Sequence, residues 1–195
     1  MLFRSQCPFI AKLDRVVERY AAEGFDIAIV GKQGNHHCVV AQELAERHGR
    51  RCVVIERPED TVAISPGDSG HWVLVGQVTG NTVVFDAVIE RVRAARLPVT
   101  VFRTMCGDSR TRQRHAEELA RSSDVVVLID DGGGAAQSVY EVCARHNASI
   151  HRVASKADIQ RDWFDGAARV AVVGGILVPE WTIDEFAERV RELGA

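Results

Sequence analysis

The chain has 195 residues, of which 46% are hydrophobic and 26% charged, and this balance excludes disordered and fibrous proteins. Its 24 Lys and Arg stand against 27 Asp and Glu, giving a net charge of -3. Because no basic run appears either, the sequence lacks the positive surface that is typical of nucleic-acid binders. Its apolar runs are shorter than the roughly 20 residues of a membrane-spanning helix, and the first residues do not resemble a signal peptide. We therefore expect a cytoplasmic protein that binds neither membranes nor nucleic acid.

Short apolar runs alternate with amphipathic stretches along the whole chain. The predicted strands are, in chain order, Asp26 to Val30, Cys52 to Ile55, Trp72 to Val75, Val99 to Phe102, Asp124 to Ile129, Ile150 to Val153 and Ala168 to Val173. The predicted helices, which have apolar residues three and four positions apart, are Ala11 to Ala22, Val40 to His48, Val83 to Arg93, Ala116 to Arg121, Ser138 to His146 and Ile183 to Leu193. This alternation predicts an α/β protein with mostly parallel sheets covered by helices.

The second half of the sequence repeats the first at a nearly constant shift. Phe3-Arg4-Ser5-Gln6-Cys7 matches Phe102-Arg103-Thr104-Met105-Cys106. Further matched pairs are Asp26 with Asp124, Asp60 with Asp158, Val75-Gly76 with Val173-Gly174, and Asp86 with Asp184. Matched cysteine and charged positions go beyond the apolar patterning that any two α/β halves share. We therefore predict two tandem, duplicated small α/β domains, residues 1–97 and 98–195.

The five cysteines divide into two groups. Cys52 and Cys143 lie within apolar stretches and are typical of buried core residues. Cys7, Cys38 and Cys106 are instead predicted at loop-like junctions. Cys7 and Cys106 each follow a short predicted strand and precede a helix, so we expect them at the carboxyl ends of the sheets, where α/β proteins bind ligands. Two domains related by an approximate two-fold axis would direct both thiolates into one shared cleft, suited to a metal ion or an iron–sulfur cluster.

A second dense region is the predicted loop Gly31–Cys38, which contains His36 and His37. It could bind an anion at the start of a helix, or its histidines and Cys38 could bind a metal ion. The corresponding segment of the second repeat, residues 130–137, has no basic side chain and begins with two aspartates that would repel phosphate.

Several segments together resemble one known family, the 4-hydroxy-3-methylbut-2-enyl diphosphate reductases of the LytB/IspH family. The segments are Cys7-Pro8-Phe9 with Lys12, Glu56 with Pro58-Glu59-Asp60, Gln77-Val78-Thr79, Cys106 with Arg112-Gln113, Asp158-Ile159 through Trp163, and Gly174-Gly175 with Pro179. Their number and order make the resemblance specific, and it spans nearly the whole sequence.

The resemblance implies a [4Fe-4S] cluster on three cysteines, one in each of three domains, and an electron donor such as ferredoxin or flavodoxin. It also implies reductive removal of a hydroxyl group from an allylic diphosphate at the open iron. By this resemblance Cys7 and Cys106 are two of the three ligands. The sequence has no counterpart of the segment that carries the family's first cysteine. The third ligand would then be Cys38, or it would come from another chain, in a homodimer or a complex with a partner subunit.

The sequence departs from the family where the substrate binds. The family's proton-donating glutamate is absent near His36 and His37, glycine and alanine replace the hydroxyl groups of its diphosphate clamp within Gly133–Ser138, and Leu177 replaces a serine. Loss of such hydrogen-bond donors costs several orders of magnitude in preference. We therefore expect a different, less phosphorylated substrate.

Three interpretations remain open at this point. In the first, the protein is a [4Fe-4S]-dependent reductase in which His36 or His37 donates protons, and Gln77 and Thr79 orient the substrate or a water molecule. In the second, it is a non-catalytic paralogue that depends on a partner, with or without a cluster. In the third, it is a zinc protein that uses His36 or His37 together with Cys7, Cys38 and Cys106.

Overall fold

The structure of the protein is a computed structural model that describes residues 7–65 and 70–194. The chain divides into two compact units between Cys106 and Gly107. Each unit is a parallel sheet flanked by helices, which confirms the predicted α/β class. In the described parts of the chain no helix is long and apolar enough to cross a membrane.

The first unit contains a four-stranded sheet in the order β2-β1-β3-β4, in which all neighbouring strands are parallel. Its elements are α1 (Pro8–Ala22), β1 (Asp26–Val30), α2 (His36–Arg47), β2 (Cys52–Ile55), a 3-10 helix (Pro58–Ala63), β3 (Trp72–Gly76), α3 (Thr82–Ala94) and β4 (Val99–Val101). Strands β1 and β3 are buried along their whole length, as central parallel strands covered on both faces must be.

The second unit repeats this arrangement with three strands, in the order β6-β5-β7. Its elements are α4 (Gly107–Ser122), β5 (Val125–Ile129), α5 (Gly134–Ala144), β6 (Ile150–Val153), two 3-10 helices (Lys156–Asp158 and Arg161–Phe164), β7 (Val170–Gly174) and α6 (Glu180–Glu192). The registers of the central pairs differ by one residue from the sequence match: Ala28 lies opposite Leu74 in the first sheet, whereas Val127, rather than Val126, lies opposite Val172 in the second.

Strand β4 departs from the division of the chain that the sequence predicts. The sequence assigns it to the opening of the second repeat, but it pairs with β3 of the first sheet, with Val99 opposite Trp72 and Val101 opposite Leu74. Leu97, Val99 and Val101 pack against the apolar cluster of the first unit that contains Ile89. The matching segment at the start of the first repeat, Leu2-Phe3-Arg4, lies outside the described residues.

All six predicted helices begin earlier in the structure than their apolar spacing indicates, and three of them show the physical reason. Helix α1 begins at Pro8, whose fixed φ suits the first helical position. Helix α2 begins at His36, because the Asn35 side chain accepts a hydrogen bond from the His37 amide and caps the helix. Helix α4 begins at Gly107, and its first turns carry mostly polar side chains. The prediction that Cys38 lies in a loop is therefore wrong, since Cys38 belongs to the first turn of α2.

Candidate functional site

Cys7 and Cys106 both lie in the first unit, at the carboxyl edge of its sheet. Cys7 caps the N-terminus of α1 and is exposed. Because α1 leads into β1, the start of the helix lies at the edge where the parallel strands end. The Cys106 amide donates a hydrogen bond to the Val78 carbonyl, just beyond the end of β3, and its side chain is half-buried immediately before α4. Each thiol thus directly precedes the N-terminus of a helix.

The loop between β1 and α2 is held against the end of β3 by one side chain. Gln77, of which only 1% is exposed, accepts a hydrogen bond through its Oε1 from the Lys32 amide at 3.0 Å. A Cβ on Gly31 would lie 2.7 Å from both this oxygen and the Cys38 Sγ. Only glycine fits there without displacing Gln77 or Cys38. Gln77 is therefore a buried clamp on the loop rather than a side chain open to a ligand.

Cys38 is part of the core of the first unit. It is fully buried, on the same stripe of α2 as Ala41 and Ala45, and its Sγ lies 3.8 Å from the Gln77 Oε1. Burial raises the pKa of the Cys38 thiol to about 11, and the charge of Glu56 adds to the shift. The thiol is thus protonated at neutral pH and belongs to the apolar cluster that contains Leu13 and Val17.

The two histidines at the start of α2 differ in exposure. His36 is exposed, whereas His37 is half-buried and its Nδ1 has no hydrogen-bond partner among the described residues. Burial lowers the pKa of His37, and His36 adds to this shift while the charge of Asp14 opposes it, so burial favours the neutral form of His37. The pKa of Asp14 on α1 is raised by its burial, which outweighs the opposing charges of both histidines. No motif identifies Asp14, which lies near the histidines because α1 packs against α2.

Thr79 lies in the turn that follows β3. The turn is closed by a hydrogen bond from the Gly80 amide to the Gln77 carbonyl, and the Cys106 amide binds the intervening Val78. Thr79 is half-buried, and it directly follows the residue that Cys106 contacts.

The loop between β1 and α2 has a second support that sequence reasoning missed. Glu56, which follows β2, accepts a hydrogen bond through its Oε1 from the Gln33 amide at 2.6 Å. This contact fixes the loop from the side of β2. The place of Glu56 in the Glu-x-Pro-Glu-Asp segment was the available signal.

Among residues 7–65 and 70–194, no three His, Cys, Asp or Glu side chains are grouped so that they could hold a metal ion. Cys7 and Cys106 have the donor chemistry and the exposure for a cluster, but Cys38 is buried in the core. The zinc interpretation needs these same side chains together with the buried Cys38, and it stays a prediction.

In the corresponding loop of the second unit, aspartate side chains accept hydrogen bonds from the loop's own backbone amides. The Gly132 amide donates to Asp130 Oδ1 at 2.9 Å, and the Gly133 amide donates to Asp131 Oδ1 at 2.8 Å. Asp130 also forms an ion pair with Arg152 at 2.6 Å. Two carboxylates therefore occupy backbone donors that a phosphate would otherwise use.

Comparison with known proteins agrees with this architecture. The family described as "LytB protein" matches residues 2–191. The chain belongs to the LytB protein family. A 4-hydroxy-3-methylbut-2-enyl diphosphate reductase of Geobacter metallireducens is 31% identical over 96% of this chain, and one of Aquifex aeolicus is 24% identical over 96%. The family resemblance of the motifs is confirmed.

The relatives of this LytB-family chain are longer than it is. It spans 65% of the length of the Geobacter protein and 64% of the Aquifex protein. A solved structure of the E-1-hydroxy-2-methyl-but-2-enyl-4-diphosphate reductase from Plasmodium falciparum matches 94% of this chain and 57% of its own, with a TM-score of 0.83 and 14% identity. That likeness confirms the fold.

Proposed function

We propose that this chain is an iron–sulfur reductase that contributes Cys7 and Cys106 to a [4Fe-4S] cluster and reduces a hydroxylated substrate without a diphosphate group. The observation that carries the proposal is the contrast among the cysteines. Two thiols lie at the carboxyl edge of the sheet before helix N-termini, whereas Cys38 is buried with its pKa raised to about 11. We therefore do not assign Cys38 as a ligand, and we assign any further protein ligand to another chain.

The reaction class follows from the family and balances simply. Two electrons from a donor such as ferredoxin or flavodoxin and two protons convert a C–OH group into C–H and release water. When bound, the cluster would supply the electrons and an iron site for the substrate oxygen. His36 is exposed at the start of α2, so we assign it proton delivery, whereas burial favours the neutral form of His37. Thr79 remains a candidate for orienting the substrate, and Gln77 acts by holding the loop.

The substrate preference rests on the loop of the second unit. Its glycine amides are bound by Asp130 and Asp131, and their charges repel a diphosphate. The experiment compares an allylic alcohol with its diphosphate as substrates of the anaerobically purified protein under a low-potential donor. We expect turnover of the alcohol, and expect Asp130→Asn with Asp131→Asn to shift preference toward the diphosphate. Asp165→Asn, an exposed change in the same unit, is the matched control. Preference of the unchanged protein for the diphosphate would contradict the proposal.

A second candidate function is a non-catalytic subunit that carries a cluster for a partner. The observation that favours it is that the described part of the chain offers two suitable thiols rather than three. The same experiment separates the two, because a protein that assembles its cluster but reduces neither substrate fits the subunit and not the reductase.

A further inference from the structure

The second sheet has an open edge where the first sheet has a strand. In the first unit β4 covers the outer edge of β3, whereas among the described residues no strand pairs with the outer edge of β7. A groove of about 490 Å³ lies there between α4 and α6, and a second hollow of about 480 Å³ continues it along β7. The groove occupies the position that β4 has in the first unit.

The backbone of β7 directs hydrogen-bonding groups toward its open edge, where a further strand could pair. The Arg169 carbonyl accepts hydrogen bonds from Asp124 and Val125, so this residue faces β5. Because residues of a parallel strand bond alternately to its two neighbours, Val170 and Val172 turn their amides and carbonyls to the open side. Their counterparts in the first unit, Trp72 and Leu74, bond there to the β4 segment through the Pro98 carbonyl and the Phe102 amide.

The contacts of the β4 segment show which side chains such a strand needs. The Phe102 ring packs on Tyr20 with centroids 4.9 Å apart, and Arg103 Nη1 lies 2.7 Å from Asp86 Oδ1. The Thr104 hydroxyl accepts from the Gly76 amide at 2.9 Å and donates to the Gly76 carbonyl at 2.7 Å. Each contact fixes one position of the strand against the sheet.

All three receptors of these contacts recur in the second unit. Leu119 takes the place of Tyr20 and is 43% exposed, although it is apolar. Asp184 takes the place of Asp86, lines the groove, and has no ion-pair partner among the residues that the structure describes. Gly174 takes the place of Gly76 at the end of β7. The groove therefore lacks an aromatic or aliphatic side chain, an arginine and a hydroxyl, in that order.

The sequence carries that series once more, as Phe3-Arg4-Ser5, which matches Phe102-Arg103-Thr104 and lies outside the described residues. We propose that the groove along β7 binds the segment Leu2–Ser5 of a second copy of this chain, by addition of a strand to the sheet edge. Reciprocal exchange of two such segments gives a closed dimer. The choice of a second copy as the source rests on the proposed function, which assigns a further cluster ligand to another chain; the groove and its contacts do not depend on that assignment.

The test is the mass of the metal-free protein by sedimentation equilibrium over a range of concentrations, with chelator present. We expect a dimer that Phe3→Asp and Leu119→Glu each weaken by at least about ten-fold in Kd, as a buried charge in a strand contact should. Val62→Asp is the matched control, since Val62 is 81% exposed on the first unit, and it should leave the mass unchanged. Circular dichroism checks that each variant is folded.

A charge exchange makes the contact specific. Arg4→Asp and Asp184→Arg should each weaken the dimer, and the double variant should restore it. A monomer at all concentrations would overturn the proposal. If Phe3→Asp destabilised that monomer, the segment would dock on the groove of its own chain, and this result would overturn the proposal as well. A dimer indifferent to every variant would overturn it as well. Because no metal is present, a dimer with these properties stands even if the protein fails to assemble a cluster.

Discussion

The two units share a parallel sheet flanked by helices, but they differ in the side chains at the carboxyl edge of the sheet and in the strand at its outer edge. In the first unit the edge carries two thiols, two histidines and a loop clamped by Gln77, and the outer strand β4 closes the sheet. In the second unit Asp130 and Asp131 accept the hydrogen bonds of two backbone amides of the matching loop, and among the described residues no strand covers the outer edge of β7. The two units thus share the layers of sheet and helices, while the loops that follow their strands differ in the groups they present.

The largest contrast is expected in thiol reactivity. In the metal-free native protein at pH 8, Cys7 should be alkylated by iodoacetamide at least about a hundred-fold faster than Cys38 and Cys143, because the thiolate is the reacting species. Burial raises the pKa of Cys38 to about 11 and of Cys143 to about 12. Peptide mass spectrometry over time measures each rate. Equal labelling of Cys38 and Cys7 in folded protein would show that Cys38 is accessible and would restore it as a ligand.

The next largest difference is expected in the stability contributed by the aspartates at the start of the two central strands. Asp26 is 1% exposed and forms ion pairs with Arg50 at 2.9 Å and Arg51 at 3.2 Å, and Asp26→Ala removes both pairs. We expect a loss of about 3 kcal/mol in the free energy of unfolding, because partly buried charges are left unpaired. Asp124 instead accepts hydrogen bonds from the Ala168 and Arg169 amides at an exposed position.

The matched substitution Asp124→Ala should therefore cost clearly less than Asp26→Ala in urea unfolding. Equal losses would mean that the two positions are equivalent despite their different burial, contrary to the contrast between the units.

A smaller effect is expected at Gly31. In Gly31→Ala the new Cβ would lie 2.7 Å from Cys38 Sγ and from Gln77 Oε1, so one of them must move. We expect a loss of about 2 kcal/mol in stability, as for other overpacked sites. Gly107→Ala, which meets nothing within 4 Å, is the control and should change little. Thermal unfolding measures both, and a neutral Gly31→Ala would show that the Gln77 clamp is loose.

The smallest expected effect is on acid stability. Hydrogen bonds from backbone amides lower the pKa of Asp124 and Asp158 from its usual 3.8. A carboxyl group whose pKa is lower in the folded state stabilises the protein above that usual value, and this contribution is lost as the pH falls through the folded-state pKa. Asp124→Asn with Asp158→Asn should therefore flatten the fall in stability below about pH 4. An unchanged slope would contradict these shifts.

The sequence predicts the sheets well because their strands are short, apolar and bounded by turns. Strands β1 and β2 have the predicted bounds, and β5 differs by one residue. The sequence predicts the starts of helices less well, because apolar spacing does not detect a capping side chain such as Asn35 or polar first turns such as those that follow Gly107. Cys38 is misplaced for this reason. Its spacing to Ala41 and Ala45 was the signal of a buried helical stripe.

The candidate site was predictable in part. The family motifs identify Cys7 and Cys106, and the structure shows both at the carboxyl edge of the sheet of the first unit. The clamp role of Gln77 and the internal pairing of Asp130 and Asp131 depend on atomic contacts between segments far apart in sequence or on loop geometry, which no motif contains.

The most direct test of the account is iron and acid-labile sulfide analysis of anaerobically purified protein and its single cysteine variants. We expect a brown protein that loses its iron in Cys7→Ser and in Cys106→Ser but retains it in Cys38→Ser, with Cys143→Ser as the buried control. Loss of iron in Cys38→Ser, with the fold intact, would contradict the assignment of ligands. A colourless protein with stoichiometric zinc would contradict the account as a whole.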